Sequence, residues 1–249
     1  MYLLKFAYDG TLFQGYSRQP ERKTVEGEIF RILGERDENV VIRSSSRTDR
    51  GVSALGNVLG IKTSLGKGAL LGILKNLRNI YFYAYAEVDD SFNPRHAKER
   101  WYRYIALCAE RDIEELRERS GYFIGTHDFS SFSRRDDRNT IRKINSIEIS
   151  RDGDFIIFDV RGDSFLWNMV RRIIGFLLYG HGDPFLEGGR YNVPPEGLIL
   201  MDVIYDFEFN RIDINEKNLK RLYQEINARH FFYRKMFEIG EGRWGIEPQ

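Results

Sequence analysis

At 249 residues, with 42% hydrophobic and 30% charged side chains, the chain has apolar material for one large core or two modest ones and the polar surface of an ordinary soluble protein. Its 38 basic and 37 acidic residues leave a formal net charge of +1, which excludes a uniformly basic surface, so any nucleic-acid partner has to be met by local segregation of charge. One cysteine excludes an intramolecular disulfide, the four histidines are scattered without metal-ligand spacing, and no apolar run approaches the roughly 18 residues of a membrane span.

From the N-terminus, Tyr2–Tyr8 alternates as a strand and Asp9-Gly10-Thr11 closes it. Thr24 is placed to cap a helix carrying Val25, Ile29, Ile32 and Leu33 on one face, with Glu26 and Glu28 in its first turn. A strand is expected over Val40–Ser45, with Val58–Lys62 as its partner. Leu70, Leu71, Leu74 and Leu77 mark a second helix, and Tyr81–Val88 another strand. Phe92-Asn93-Pro94 interrupts the periodicity and suggests a boundary between a first domain, 1–93, and a second, 94–249. Strands are then predicted at Tyr102–Leu107, Ile144–Ser150 and Phe155–Arg161. A long amphipathic helix carries Leu166, Val170, Ile173, Ile174, Leu177 and Leu178, and a late strand runs over Leu198–Phe207. Beyond Arg211, Leu219, Leu222 and Ile226 share a helix face ahead of Phe231-Phe232-Tyr233, which predicts a helical extension packed on the body. Strands and helices alternate, so the first ninety or so residues read as a small α/β sandwich with helices on one sheet face.

Between the third and fourth of these elements lies Ser45-Ser46-Arg47-Thr48-Asp49-Arg50-Gly51-Val52, one carboxylate between two arginines at a strand end. Opposite charge nearby favours the ionised form of Asp49, which suits nucleophilic or general-base work. The same string also describes a surface ion pair in a solvated turn, and alone it does not separate the two. Basic residues gather at Arg47/Arg50, Arg95/Lys98/Arg100/Arg103, Arg134/Arg135/Arg138/Arg142/Lys143 and Arg171/Arg172, while acids crowd into Glu110–Glu118 and the C-terminal tail. Cys108 sits among apolar neighbours and is expected to be a buried, inert thiol in a reducing, cytoplasmic compartment. The start, Met1-Tyr2-Leu3-Leu4-Lys5-Phe6, reads as neither signal peptide nor anchor. Gly240-Glu241-Gly242-Arg243-Trp244-Gly245 spells a dinucleotide fingerprint, but no βαβ unit surrounds it and a nucleotide cofactor is not expected.

Six blocks in order resemble the tRNA pseudouridine synthase A family. They are Tyr8-Asp9-Gly10-Thr11 with Arg18-Gln19-Pro20 and Thr24-Val25-Glu26-Gly27; Arg47-Thr48-Asp49-Arg50-Gly51-Val52-Ser53-Ala54; Arg100-Trp101-Tyr102-Arg103-Tyr104; His127-Asp128-Phe129 with Phe132; Phe165-Leu166 with Met169-Val170-Arg171; and Pro194-Pro195-Glu196-Gly197-Leu198. The resemblance covers roughly the first 205 residues. It implies an α+β fold of two related domains of RRM or ferredoxin-like type sharing a continuous, mainly antiparallel sheet with a central active cleft. It also implies isomerisation of uridine to pseudouridine in the anticodon stem-loop of tRNA, with no cofactor and no metal, by a homodimer spanning one tRNA.

On that resemblance Asp49 acts on a flipped-out uridine, Tyr102 stacks on the uracil, Arg171 sets a second cation against Asp49, and Arg47 pairs with Asp49 at rest. A planar guanidinium at 171 is suited to bonding both carboxylate oxygens. Substrate contacts are expected at Arg18, Gln19, Arg50, Arg103, His127, Phe129, Arg134, Arg135 and Arg172, which lie in or beside the matched blocks. Three positions depart from the family pattern: Ser46 replaces a usual glycine, Ser53 a frequent histidine, and Trp167-Asn168 a common pair of histidines. The competing readings are a non-catalytic RNA-binding protein on the same scaffold, using Tyr102, Tyr104 and the basic clusters, and a glycoside-cleaving enzyme, for which no second acid is placed near Asp49.

Overall fold

The computed structural model describes residues 1–108, 110–133, 139–213 and 216–240, the side chains of 216–219 excepted. In β1 (Tyr2–Tyr8), Leu4, Phe6 and Tyr8 enter the core at period two. Thr24 caps α1 (Val25–Gly34) as expected: its hydroxyl accepts from the Gly27 N–H at 3.2 Å, and Val25, Ile29 and Leu33 are buried. β2 (Val41–Ser44) and β3 (Ser53–Lys62) pair antiparallel, and the loop between them carries Asp49. α2 (Lys67–Leu74) and β4 (Ile80–Glu87) complete the first half.

Next come β5 (Glu99–Leu107), α3 (Ile113–Ser120), β6 (Gly125–Asp128), β7 (Ile141–Asp152) and β8 (Phe155–Gly162). The amphipathic helix is α4 (Met169–Tyr179), which buries Met169, Val170, Ile173, Ile174, Phe176 and Leu177. The short α5 (Pro184–Glu187), β9 (Leu198–Ile204) and β10 (Asn210–Arg211) follow. These strands form one sheet in the order β10-β4-β1-β3-β9-β5-β8-β7-β6, with β2 also on β3. Every pairing is antiparallel except β3 with β9, where Ser53 faces Ile199 and Ala54 faces Leu200. That short parallel contact joins the first half of the sheet to the second and lies at the exit of the Asp49 loop.

Several elements differ from expectation. The acidic stretch after residue 110 contains α3, capped by the Asp112 carboxylate and held by buried Leu116 and Ser120; two inward residues in one short helix give little periodic signal. The late strand stops at Ile204, because Tyr205, Phe207 and Phe209 leave the ladder to form an aromatic cluster with Phe92. Cys108 is half-buried beside the Tyr179 phenol rather than enclosed. From Asp213 on the chain forms a second unit. Within it, α6 (Glu216–Gly240) is a polar helix laced by Arg229–Glu225 at 3.0 Å and Lys235–Glu238 at 2.7 Å. The glycine-rich string from 240 on lies outside the described residues, its first glycine apart. No helix among the described residues is long and apolar enough to cross a membrane.

The approach of β9 to β3 leaves no room at Gly56, where a Cβ would stand 2.5 Å from Asp202 Oδ1 and 2.7 Å from the Met201 carbonyl oxygen. Gly56→Ala is therefore expected to destabilise the fold by about 1–3 kcal/mol through forced separation of the two strands. Urea denaturation followed by circular dichroism reads the change; an unaltered midpoint would contradict it.

Candidate active site

The loop leaving β2 runs buried through Ser45 and Ser46 and then opens to solvent at Arg47. It is pinned from beneath. Asn57 Nδ2 donates to the Ser46 carbonyl at 3.1 Å and to the Tyr8 hydroxyl at 3.3 Å, and Tyr8 and Thr48 share a hydroxyl hydrogen bond of 2.8 Å. At its far end Gly51 takes φ +88°, and a Cβ there would press on Pro195 and Glu196 at 3.1 Å. A turn with that sign of φ, closed against the segment ahead of β9, leaves Asp49 projecting into the cleft.

Both Asp49 oxygens are engaged from the start of α4. Trp167 Nε1 donates to Oδ1 at 2.6 Å and Arg171 Nη1 to Oδ2 at 3.4 Å. The Asp49 side chain is 28% exposed and that of Arg171 12%, so this is a half-sheltered pair rather than a surface one. The arginine does not grip both oxygens as expected. Its Nε donates to the Val193 carbonyl at 2.8 Å, and the Nη1 that reaches Asp49 is shared with Asn168 Oδ1 at 3.0 Å. The second oxygen belongs to the indole. Arg47 is exposed and forms no ion pair with Asp49 among the described residues.

Beneath the carboxylate, Tyr102 is buried edge-on to Phe165, with ring centres 5.3 Å apart and planes at 86°. Burial pushes its phenol up to about 12, with the nearby Arg100 cation opposing and the Asp49 anion adding to the shift. Tyr102 is accordingly a neutral phenol at physiological pH. These side chains line a cleft of about 700 Å³, within the roughly 300–1,000 Å³ of small-molecule sites and ample for one nucleoside.

Of the expected substrate contacts, Gln19 and Arg50 line the cleft with Asp49, Tyr102, Arg47 and Arg171. Arg18 does not; it lies 4.1 Å over the Phe30 ring and 3.9 Å from Glu26. Arg103 projects to the opposite sheet face from Tyr102, where Asp159 clasps it at 3.0 and 2.8 Å. His127 stacks on Phe185 at 5.0 Å and Phe129 is fully buried in the same aromatic cluster, so both serve packing away from the cleft. Arg172 turns toward Gly189, away from the cleft. Arg134 and Arg135 lie outside the described residues. Trp167, Asn168, Arg95, Arg100 and Arg142 line the cleft without having been assigned a role from sequence. The departure at Trp167-Asn168 and the two basic clusters were the signals available for them. Among the described residues no three His, Cys, Asp or Glu side chains gather as a metal site.

Residues 120–184 match the family model described as tRNA pseudouridine synthase. The tRNA pseudouridine synthase A of Picrophilus torridus is 41% identical over 207 residues, 82% of each chain. That of Pyrococcus abyssi is 41% identical over 245 residues, 90% of this chain and 91% of the relative. Among solved structures, a Cbf5-Nop10-Gar1 complex aligns with a TM-score of 0.36 at 14% identity, over 70% of this chain and 44% of that one.

The Tyr102 phenol provides a pH test. Its ordinary value of 10.0 applies to the unfolded chain and about 12 to the folded one, so the stability it contributes is fully present below pH 10 and is lost as pH rises through about 12. Tyr102→Phe should flatten the decline of stability across that window, measured by denaturant titration at stepped pH. Parallel curves for the two proteins would contradict the assignment.

Proposed function

The chain belongs to the tRNA pseudouridine synthase A family, and from that premise we propose that it isomerises uridine to pseudouridine in the anticodon stem-loop of tRNA, with Asp49 as the reacting carboxylate. The observation that carries this reading is the Asp49 carboxylate held by Trp167 and Arg171 in a nucleoside-sized cleft whose floor includes Tyr102. A module that only bound RNA would gain nothing from an anion there, since it repels phosphate. An anion kept in an otherwise basic cleft argues for chemistry.

The reaction is an intramolecular transfer. The bond from uracil N1 to the anomeric carbon breaks, the base turns, C5 bonds to the same carbon, the C5 proton departs and N1 takes up a proton. No atom enters or leaves the nucleotide apart from this exchange of a proton, so one carboxylate is the minimum catalyst. An ionised carboxylate offers about four acceptor sites, and two are used by the indole and the guanidinium. The remaining lone pairs support the anomeric centre as it becomes electron-poor. Reaching that centre requires extruding the base from its stem at a cost of a few kcal/mol, which stacking in the pocket worth roughly 1–3 kcal/mol per base offsets in part. Tyr102 takes this place at the base, and its neutral hydroxyl can donate to it or relay a proton.

The exposed Arg47 and Arg50, with Arg95 and Arg142 on the same cleft, supply the phosphate contacts that a net charge of +1 conceals. The division into a first domain, 1–93, and a second, 94–249, belongs to the same proposal, since Asp49 comes from one and Tyr102, Trp167 and Arg171 from the other. So do cytoplasmic residence, for which the lone cysteine speaks, and a homodimer spanning one tRNA, which light scattering with and without tRNA tests directly.

Release of tritium from tRNA labelled at uridine C5 measures the reaction. Asp49→Asn should lower it by about a thousandfold or more while tRNA binding is kept, and equal release by the variant would remove Asp49 from the mechanism. Arg171→Lys should lower it by at least about tenfold, because an ammonium presents its donors from one nitrogen, whereas the guanidinium reaches Val193 with Nε and Asn168 and Asp49 with Nη1. Wild-type turnover by that variant would make the guanidinium geometry irrelevant.

A further inference from the structure

We infer that Trp167, through its indole N–H, is the positioning residue that orients Asp49, and that Trp167-Asn168 together brace the Asp49–Arg171 pair; this rests on the reading of Asp49 as the reacting group. The indole nitrogen stands 2.6 Å from Oδ1, much closer than the 3.4 Å between Arg171 and Oδ2. A short N–H to carboxylate bond is charge-assisted and directional, whereas the longer guanidinium contact acts chiefly through its charge. The rotation of the carboxyl group about its own axis is thus set by the tryptophan. Arg171 supplies the neutralising field.

Asn168 serves the other partner. Its Oδ1 accepts from the same Arg171 Nη1 that reaches Asp49, so consecutive residues hold the anion and the cation of one pair. The backbone at Asn168 is left-handed, φ +62°, ψ +2°, a conformation that asparagine adopts more readily than most other non-glycine residues. That left-handed residue is the N-cap of α4 and directly follows Trp167, at the point where the chain turns into the helix. The ring itself is 52% exposed and takes part in no aromatic or cation stack among the described residues. A large apolar ring left in solvent, with only its polar edge anchored, has little packing purpose. What it secures is the carboxylate.

The donor can be separated from the ring's bulk by substitution at 167. An imidazole at 167 offers a donor of similar reach, whereas a phenyl ring offers the size without the donor.

Single-turnover tritium release from C5-labelled tRNA, with tRNA affinity measured by filter binding, tests the role in wild type, Trp167→Phe, Trp167→His and Asp49→Asn. Loss of one donor to a charged acceptor predicts a rate about 10- to 100-fold lower for Trp167→Phe, an affinity within about twofold of wild type, and recovery of most of the rate by Trp167→His. A wild-type rate for Trp167→Phe overturns the proposal. So does a loss confined to affinity, which would make the indole a stacking surface, or a Trp167→His variant no better than the phenylalanine one. Undiminished turnover by Asp49→Asn would instead overturn the underlying reading, whatever the tryptophan variants do. The hydrogen bond is also visible without changing Trp167. In a proton–nitrogen correlation spectrum the Trp167 indole resonance should move on Asp49→Asn while that of Trp101, which donates to Asp159 at 2.6 Å, stays in place; an unmoved Trp167 signal counts against the bond.

Discussion

The guanidinium of Arg100 is nearly excluded from water and, among the described residues, donates only to neutral oxygens, yet it touches most of the segments that shape the cleft. Its Nε donates to Ser46 Oγ at 3.1 Å, its Nη2 to the carbonyls of Arg95 at 2.8 Å and Ser45 at 3.4 Å, and its Nη1 to the carbonyl of Asp163. Those acceptors come from the loop after β2, the approach to β5 and the exit of β8. Taking a cation out of water costs several kcal/mol, and only a full set of well-placed acceptors makes that tolerable. A planar fork of five N–H groups can satisfy four oxygens in different directions; an ammonium could not match that spread. The loop bearing Asp49 therefore has its height in the cleft set by a residue on another strand. The same cation lies beside the Tyr102 phenol and partly opposes the rise that burial imposes on it.

With the loop anchored, the remaining electrostatics of the cleft follow from which arginines are already committed elsewhere. Arg103 is taken by Asp159 and Arg161 by Glu99. Arg119 caps the end of α4, donating to the carbonyls of Phe176, Leu177 and Gly180 at 2.6–3.0 Å, where the helix is electron-rich. Arg117 donates to the Ile149 carbonyl. The basic clusters in the sequence thus divide into structural ties and free cleft cations, and proximity along the chain does not predict the division. Strand alternation does so better: in β5, Arg100, Tyr102 and Tyr104 are buried, while Trp101, Arg103, Ile105 and Leu107 take the other side.

Much of this arrangement was legible because it is local. The capping threonine, the period-two burial of β1, β4, β5 and β8 and the apolar face of α4 each rest on residues within a few positions of one another. The Asp49 turn was legible for the same reason, since its charge pattern and its glycine are contiguous. The partners of Asp49 were less so. Arg171 could be named, but its hydrogen bonds depend on Val193 and Asn168, which reach it only after α4 docks. Trp167 looked like a simple departure from a pattern, because nothing in a sequence tells an indole packed in a core from one pointing at a carboxylate 118 positions away. His127, Phe129 and Arg103 sit in motifs that accompany the site yet serve the core and the far face of the sheet.

The insertion of β9 between β3 and β5 was the least legible step, and its geometry decides where the cleft opens. Along β5 the pairing with β9 slips between Trp101, opposite Asp202, and Tyr102, opposite Leu200, so Met201 is an extra residue on β9. A bulge of this kind bends its strand and sharpens its twist. The parallel ladder with β3 holds Ser53 with Ile199 and Ala54 with Leu200 and ends where the extra residue begins, but the bulged residues still lie against β3 and crowd the bare backbone of Gly56. The two halves of the sheet are therefore laddered together at the exit of the Asp49 loop and packed without ladder pairing just beyond it. The slip lies just before Tyr102 along β5, whose own alternation continues unbroken and keeps the Tyr102 side chain on the cleft side. Without the extra residue, β9 and β5 would run on in register past this point, and Arg103 and Tyr102 would face different neighbours. β9 thereby ties the half that carries the aspartate to the half that carries the tyrosine beside the same cleft.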